Sequence, residues 1–397
     1  MDLFSVAVTS TFIRYLGPRP YWSALMTLNW DTITGPTVLI NRSRAQRNIA
    51  TMQAKAKSAQ VALRPHFKTH QSALIGTWFG PPESTPIAVS SLAMAEYFVA
   101  AGWRDVHIAI PLNPRELPAI QALAQQAKLT LTIEHEDALA YVAQITTPVQ
   151  LMLEVDTGYG RTGFDWRQQH RIAATIKTAH GMEHVKRIGL MVHSGHSYGA
   201  QGETAIAAVH TESTARLNEL MAALSKHVQP PLWVSVGDTP TCSRMDSFPG
   251  ANEIRPGNYV FYDMQQKMIG ACDWDDIALA MACPVIGRYP ERNEVVVHGG
   301  AVHFGKDWVS SGAGSHTRTV FGQVMQQTES GWSQPVEGAE VIGLSQEHGK
   351  VRMPQSAIEK LRLGDLLVIV PPHSCLVMAA AMAFGDEHFI CFDGAKG

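Results

Sequence analysis

The sequence predicts an α/β fold, a (β/α)8 TIM-type barrel followed by a second, mostly β domain. Three observations carry that expectation. From about residue 36, short β-rich runs alternate with longer helical stretches, and such alternation implies parallel strands joined by crossover helices. Roughly eight of these units fit into about 250 residues, the usual size of a barrel. After about residue 272 the helical spacing fades, and short strand candidates separated by turn residues take over. A doubly wound open sheet is the competing architecture, because strand count alone does not distinguish the two.

In chain order, the barrel strands are expected at 61–67, 87–90, 106–110, 129–134, 149–155, 187–193, 232–236 and 253–261. Stretches with helical spacing lie between them at 43–59, 93–101, 115–127, 166–179 and 205–227. The later strands are expected at 284–288, 294–298, 338–344, 348–353 and 366–370. The barrel is therefore placed over residues 36–272, and the β-rich domain over 20–35 and 273–397. Residues 1–16 are mildly apolar but begin with Asp2 and lack a small-residue cleavage pattern, so a signal peptide is not expected. They read as a frayed extension, with Met26 as an alternative start.

The composition is that of a folded enzyme-sized chain: 45% hydrophobic, 17% charged and a formal net charge of −3 over 397 residues. That balance argues against a nucleic-acid partner, which leaves a basic stripe. No apolar run reaches the length of a membrane span. Five scattered cysteines are too few for a disulfide framework and fit a reducing, cytoplasmic setting.

In a barrel, catalytic residues gather where the strands end. The unusual polar residues fall at those positions: Arg64-Pro65-His66-Phe67-Lys68-Thr69-His70 after the first strand, Asp156 to Arg161 after the fifth, and His193 to Tyr198 after the sixth. Gly237 to Thr241 follow the seventh, and Arg255 to Tyr259 lie in the eighth. Lys68 is the central candidate. Arg64, His66 and His70 flank it, and cationic neighbours would leave its amine neutral and nucleophilic, as Schiff-base formation requires. The Gly237–Thr241 turn has the glycine and hydroxyls of a phosphate cradle, at a place where barrels often bind phosphate. His373 and Cys375 are two apart, so in an extended chain both would face one ion. An imidazole with a thiolate suits zinc. Taken singly, each of these segments also fits an ordinary turn or packing role.

Together, in order from about residue 33, these segments resemble the fold-type III pyridoxal 5′-phosphate (PLP) enzymes, the alanine-racemase-like group. Within it they look closest to the D-serine dehydratase / D-threonine aldolase family. Glu154-Val155-Asp156, Glu347-His348-Gly349 and His373-Ser374-Cys375 add to the likeness. The resemblance implies Lys68 as the Schiff-base lysine and His193 as a second catalytic residue beside the pyridine ring. It places Arg255 against the pyridine nitrogen and Arg161 near the phenolic oxygen. It puts Gly237, Asp238, Thr239, Gly257 and Asn258 around the phosphate, with Tyr198 and Tyr259 completing the cofactor-binding set. It implies His373 and Cys375 as ligands of Zn2+ (or Mn2+).

An arginine at the pyridine nitrogen keeps that nitrogen unprotonated and the ring a weaker electron sink. A metal polarising the substrate's β-hydroxyl would compensate. The expected function is thus a PLP- and metal-dependent lyase acting on D-3-hydroxy amino acids, of D-serine dehydratase type, and a homodimer. D-threonine aldolase-type cleavage to glycine and an aldehyde is the alternative, because the aldolases more often carry an acidic residue where this chain has Cys375. An amino-acid racemase is more distant. A PLP carrier is disfavoured by the β-rich segment.

Overall fold

The computed structural model describes residues 28–228, 232–312, 317–383 and 389–394. The expectations for residues 1–16, for Met26 and for 20–27 lie outside them. Eight parallel strands run in sequential order around a ring: Ala62–Leu63, Ile87–Val89, Asp105–Pro111, Lys128–Ile133, Val149–Asp156, Val185–Val192, Trp233–Val236 and Glu253–Ile254. The first strand pairs with the eighth, and beyond Leu63 the parallel bridge His66↔Ala88 joins it to the second, closing the circle. The TIM-type reading therefore holds, and the open-sheet alternative does not.

Helices Arg42–Ser58, Leu92–Ala100, Leu117–Ala124, Gln169–His180 and Glu203–Leu224 alternate with the strands. Their starts are set locally. Asn41 and Ser91 accept hydrogen bonds from the N–H groups of Arg44 and Met94, the N-cap pattern that satisfies first-turn donors. Val106, Leu129, Leu131, Leu151, Leu153, Leu190 and Val234 are buried along the strands, as a sheet covered by helices requires.

The eighth strand corrects the sequence reading. It ends at Ile254, and Asn258–Val260 form a 3-10 turn, where a run to residue 261 was expected. Pro256 cannot donate to a ladder, and Gly257 turns the chain inward over the barrel mouth.

Besides a two-stranded ribbon, Val309–Ser311 with Arg318–Val320, the second large sheet is antiparallel apart from one parallel pair. Its strands are ordered Glu294–His298, His348–Arg352, Gly331–Leu344, Gln323–Thr328, Leu366–Val370, Leu279–Tyr289, Thr37–Asn41 and Phe389–Phe392. Glu294–His298 also pairs with Leu279–Tyr289, so six of these strands close on themselves. Thr37–Asn41 lies before the barrel in sequence yet pairs with Leu279–Ala282 in this sheet. Leu28 and Ile33 pack in the same apolar cluster as Ala280, Val368 and Trp332. Helices interrupt the β-rich region where none was expected: two of four residues, Ala301–Phe304 and Gln355–Ile358, and the longer Ser374–Ala383. Among the described residues no helix is long and apolar enough to cross a membrane.

The two sheets meet at the barrel mouth. The N–H groups of Met264 and Gln265 donate to the carbonyls of Pro371 and Pro372 at 3.1 Å each. The segment leading into His373 is thereby tied to the chain just beyond the eighth barrel strand.

Candidate active site

Lys68 lies in the turn that follows the first barrel strand, with its side chain exposed at the mouth. Its neighbours point elsewhere, which corrects the expectation that all three act on its amine. Arg64 reaches inward and donates to Glu253 at 2.9 Å and to Asp105 at 2.8 Å, residues that open the eighth and third strands. That buried ion pair belongs to the opposite, amino-terminal end of the barrel. His70 is wholly buried, stacks on Phe79 and accepts a hydrogen bond from Ser72 N–H at Nδ1. Burial holds its pKa at about 3, so it carries no charge to impose. Only His66 remains close, its Nδ1 3.4 Å from the Lys68 backbone nitrogen.

Facing this turn are residues from the sixth, seventh and eighth strand ends. His193 Nδ1 lies 2.7 Å from the Gly237 carbonyl, which requires a proton on Nδ1 and leaves the lone pair on Nε2. Burial, assisted by the positive charges of Arg161, Lys68 and Arg255, holds His193 at about 3 against the Gly237 hydrogen bond, so the ring is neutral. Tyr159 meets it edge-on at 5.6 Å. Arg161 is about half exposed, lies over the Tyr159 ring and pairs with Glu154 at 3.6 Å.

Arg255 is 5% exposed and is fixed by two carbonyls, Val192 at 3.0 Å and Ser235 at 3.4 Å. Its Nε is buried without a partner, and so is Oε2 of Glu154. An orphaned donor of this kind is costly unless something supplies an acceptor.

The phosphate-cradle candidates pack closely against their neighbours at the barrel mouth. Gly237 runs so close to Arg255 that a Cβ on it would lie 2.8 Å from the Arg255 nitrogen. A Cβ on Gly257 would lie 2.8 Å from the His66 carbonyl oxygen. The Asp238 side chain is spent within the protein, accepting from Thr241 N–H, Thr241 Oγ1 and Ser197 Oγ. What Asp238 can offer a ligand is its backbone. The N–H groups of Thr239 and Asn258 point at hydroxyls, Tyr198 Oη at 3.3 Å and Thr239 Oγ1 at 3.1 Å. Tyr259 stands apart from this set. It is fully buried, its ring meets Phe79 edge-on in the core, and its Oη has no partner.

His373 and Cys375 come together, but by another route than an extended chain. His373 immediately precedes helix Ser374–Ala383, and Cys375 lies in its first turn. Their charges influence each other across that turn. Burial opposes charge on both, yet each stabilises the other. With Asp263 and Asp307 nearby, His373 is raised to about 10, and the Cys375 thiol is lowered by His373, Thr69 and Lys68. The lowering favours the thiolate, the form of Cys375 that ligates metal. Cys375 Sγ also lies 3.4 Å from Thr69 Oγ1, next in sequence to Lys68.

Three residues at this junction escaped the sequence reading. Besides Thr69, Asp263 is buried and its Oδ2 accepts from Asn258 Nδ2 at 2.6 Å and from Ser374 N–H at 3.0 Å. It thus ties the phosphate-cradle candidate to the His373–Cys375 turn. Its position three residues before Gln266, whose N–H it caps at 2.9 Å, was the available signal. Asp307, 2.6 Å from His373 Nδ1, had none, being 66 residues away in sequence.

A separate cluster, His298, His303 and Glu347, brings three potential ligand atoms within 4.8 Å of one another. Gly300 N–H donates to His303 Nδ1, which puts the ring proton on Nε2, facing Glu347. Both imidazoles lie at ion-pair rather than hydrogen-bond distance from the carboxylate, His298 Nε2 at 3.8 Å and His303 Nε2 at 3.9 Å.

The residues fit a PLP-sized group and a metal ion. The orphaned Arg255 Nε lacks only an acceptor such as a ring nitrogen, and the Gly237 and Gly257 approaches leave no room for a Cβ. The imidazole–thiolate donor set suits a borderline-soft cation.

Comparison with known proteins agrees with this geometry. Residues 40–265 match the alanine racemase N-terminal domain family, and residues 278–384 match the putative serine dehydratase domain. A D-serine dehydratase of Dictyostelium discoideum is 31% identical over 392 residues, covering 91% of this chain and 94% of the relative. A D-threo-3-hydroxyaspartate dehydratase of Delftia sp. (strain HT23) is 29% identical over 372 residues, covering 89% and 94%. The solved structure of the Delftia protein superposes with a TM-score of 0.79 at 29% identity, covering 88% of this chain and 93% of its own. A cysteine-to-alanine mutant of a D-threo-3-hydroxyaspartate dehydratase in the metal-free form, 28% identical, superposes with a TM-score of 0.79 over 88% of this chain and 93% of its own. D-threonine aldolase from Filomicrobium marinum, 20% identical, shares the fold with a TM-score of 0.74 over 88% and 90% of the two chains.

Proposed function

Since the chain belongs to the alanine racemase N-terminal domain family, with a putative serine dehydratase domain following, we propose that it is a PLP- and divalent-metal-dependent lyase. Its substrates are D-3-hydroxy amino acids and its reaction is β-elimination to a 2-oxo acid and ammonia, as the names of the Dictyostelium and Delftia relatives suggest. One observation carries the reading: Cys375 Sγ lies 3.4 Å from Thr69 Oγ1, next in sequence to Lys68, whose charge reaches the thiol. A cation held by this pair would sit on the side of the mouth that carries Lys68 and would polarise a substrate hydroxyl there.

When bound, PLP supplies a carbonyl for the substrate amine and a conjugated ring that delocalises charge at Cα, and the metal supplies Lewis-acid polarisation of the β-hydroxyl. The protein's part is positioning and proton handling. Lys68 provides the amine that holds the cofactor and then accepts the Cα proton. Arg255, fixed by the Val192 and Ser235 carbonyls, offers Nε to the ring nitrogen. Its fixed positive charge keeps that nitrogen from taking a proton. His193 is the other catalytic residue, a neutral ring whose Nε2 lone pair faces outward because Nδ1–H is committed to Gly237. Arg161 and Tyr198 would flank the ring, and the backbones of Gly237, Asp238, Gly257 and Asn258, with Thr239, would hold the phosphate. His373 and Cys375 bind Zn2+, or Mn2+ in its place. Tyr259 supports this wall from the core.

The same proposal includes the division into a cofactor-binding barrel and a β-rich domain carrying the metal pair. It also includes a homodimer and a cytoplasmic setting, in keeping with five free thiols. The test is to incubate the metal-loaded holoenzyme with D-serine, D-threonine and D-threo-3-hydroxyaspartate and assay ammonia against glycine. Ammonia with a 2-oxo acid is expected, and EDTA should suppress it. Glycine with an aldehyde would replace elimination by retro-aldol cleavage, and full turnover by rigorously metal-free enzyme would remove the metal from the mechanism.

A further inference from the structure

Asp307 follows the short helix Ala301–Phe304, and its Oδ2 lies 2.6 Å from His373 Nδ1. A ring nitrogen that close to a carboxylate oxygen must carry a proton, since two lone pairs would repel. In a neutral imidazole the other nitrogen, Nε2, then keeps the lone pair. Nδ1 and Nε2 point away from each other across the ring. A carboxylate seated on Nδ1 therefore faces away from whatever Nε2 binds.

The two aspartates near His373 divide the work. Asp263 is fully buried and spends its oxygens on Asn258, Ser374 and Gln266, so it belongs to the scaffold. The Asp307 side chain is 47% exposed, and among the described residues His373 is its hydrogen-bond partner. Its removal therefore leaves the core intact.

We propose that Asp307 is a positioning residue that locks His373 in the tautomer and orientation that present Nε2 to a divalent cation beside Cys375. The proposal rests on His373 and Cys375 being the metal pair. A carboxylate behind a ligating histidine fixes the ring and increases its basicity, and the loss of such a partner typically costs 10–100-fold in metal affinity.

The test uses PLP-loaded, metal-stripped enzyme titrated with Zn2+ against a competing chelator, comparing wild type with Asp307→Ala, Asp307→Asn and His373→Ala. Asp307→Ala should bind Zn2+ about 10–100-fold more weakly. Asp307→Asn, which keeps an oxygen to accept from Nδ1–H but loses the charge, should fall between it and wild type. The His373 Nδ1–H resonance in 15N-edited NMR should vanish in Asp307→Ala, while the cofactor absorbance at Lys68 is unchanged. Wild-type affinity in Asp307→Ala, with binding lost in His373→Ala, would overturn the role of Asp307 alone. Wild-type affinity in His373→Ala would overturn the metal pair itself and this inference with it.

Discussion

Replacing Gly257 by alanine should weaken cofactor binding, and the structure sets the size of the effect. The position has φ −126, so alanine meets no backbone strain there and only space decides. A Cβ would lie 2.8 Å from the His66 carbonyl oxygen, 3.0 Å from His66 Cβ and 3.0 Å from Thr69 Oγ1. Ordinary contact begins near 3.4 Å, so the chain carrying Lys68 and the loop carrying Asn258 must part by roughly half an ångström. Overpacking of that kind costs about 1–3 kcal/mol. The free protein relieves it by letting the two segments separate, but a cofactor bridging lysine and phosphate cradle pulls them back together. The whole cost then falls on binding, and about 1–3 kcal/mol is roughly a 5- to 150-fold rise in Kd. The assay is absorbance titration of apoenzyme with PLP. Gly199→Ala is the control, because a Cβ there meets nothing within 4 Å. An affinity for Gly257→Ala within twofold of wild type would refute the reasoning.

Two further predictions concern the barrel itself. Arg64→Met strands Glu253, whose side chain is 1% exposed, with Ser235 Oγ as its remaining donor, and should cost about 3–5 kcal/mol of stability. Thermal unfolding measures it, and an unchanged midpoint would contradict the buried pair. His70→Asn should flatten the acid limb of stability. Because the folded-state pKa of His70 is about 3, below the ordinary 6.5, the unfolded chain takes the proton first. Its contribution is complete above pH 6.5 and is lost as pH falls toward 3. Between pH 7 and 5 that loss is about 2 kcal/mol, and Asn, which can still accept from Ser72 N–H, does not titrate. Urea unfolding of the apoenzymes at both pH values should show wild type losing that much more than the variant. Parallel losses would mean that His70 is not the titrating group.

Fold class and the position of Lys68 were legible in the sequence because both follow from local order: strand–helix alternation, and polar residues at strand ends. What was not legible depends on pairing across long separations. Thr37–Asn41 reads as a lead-in to the barrel, yet its partner is Leu279–Ala282, and no local pattern reports that. The neighbours of Lys68 were misread for a related reason. Sequence adjacency suggested that Arg64, His66 and His70 crowd its amine, whereas Arg64 turns to partners 41 and 189 residues away and His70 packs into an aromatic cluster. His373 and Cys375 were recognised as a pair, but the helix that starts between them was not. Its ten residues, Ser374–Ala383, are apolar nearly all round and carry no amphipathic stripe. Asp307 was invisible, and Asp263 was legible only as a helix cap, because a carboxylate's role is set by what the fold brings to it.

The most direct test is borohydride reduction of the purified, PLP-loaded protein followed by peptide mapping. A pyridoxyl group on the peptide containing Lys68, and its loss in Lys68→Ala together with the reducible absorption band, is the predicted result. Label on another lysine of the native protein, or an unchanged reducible band in Lys68→Ala, would contradict the account at its root.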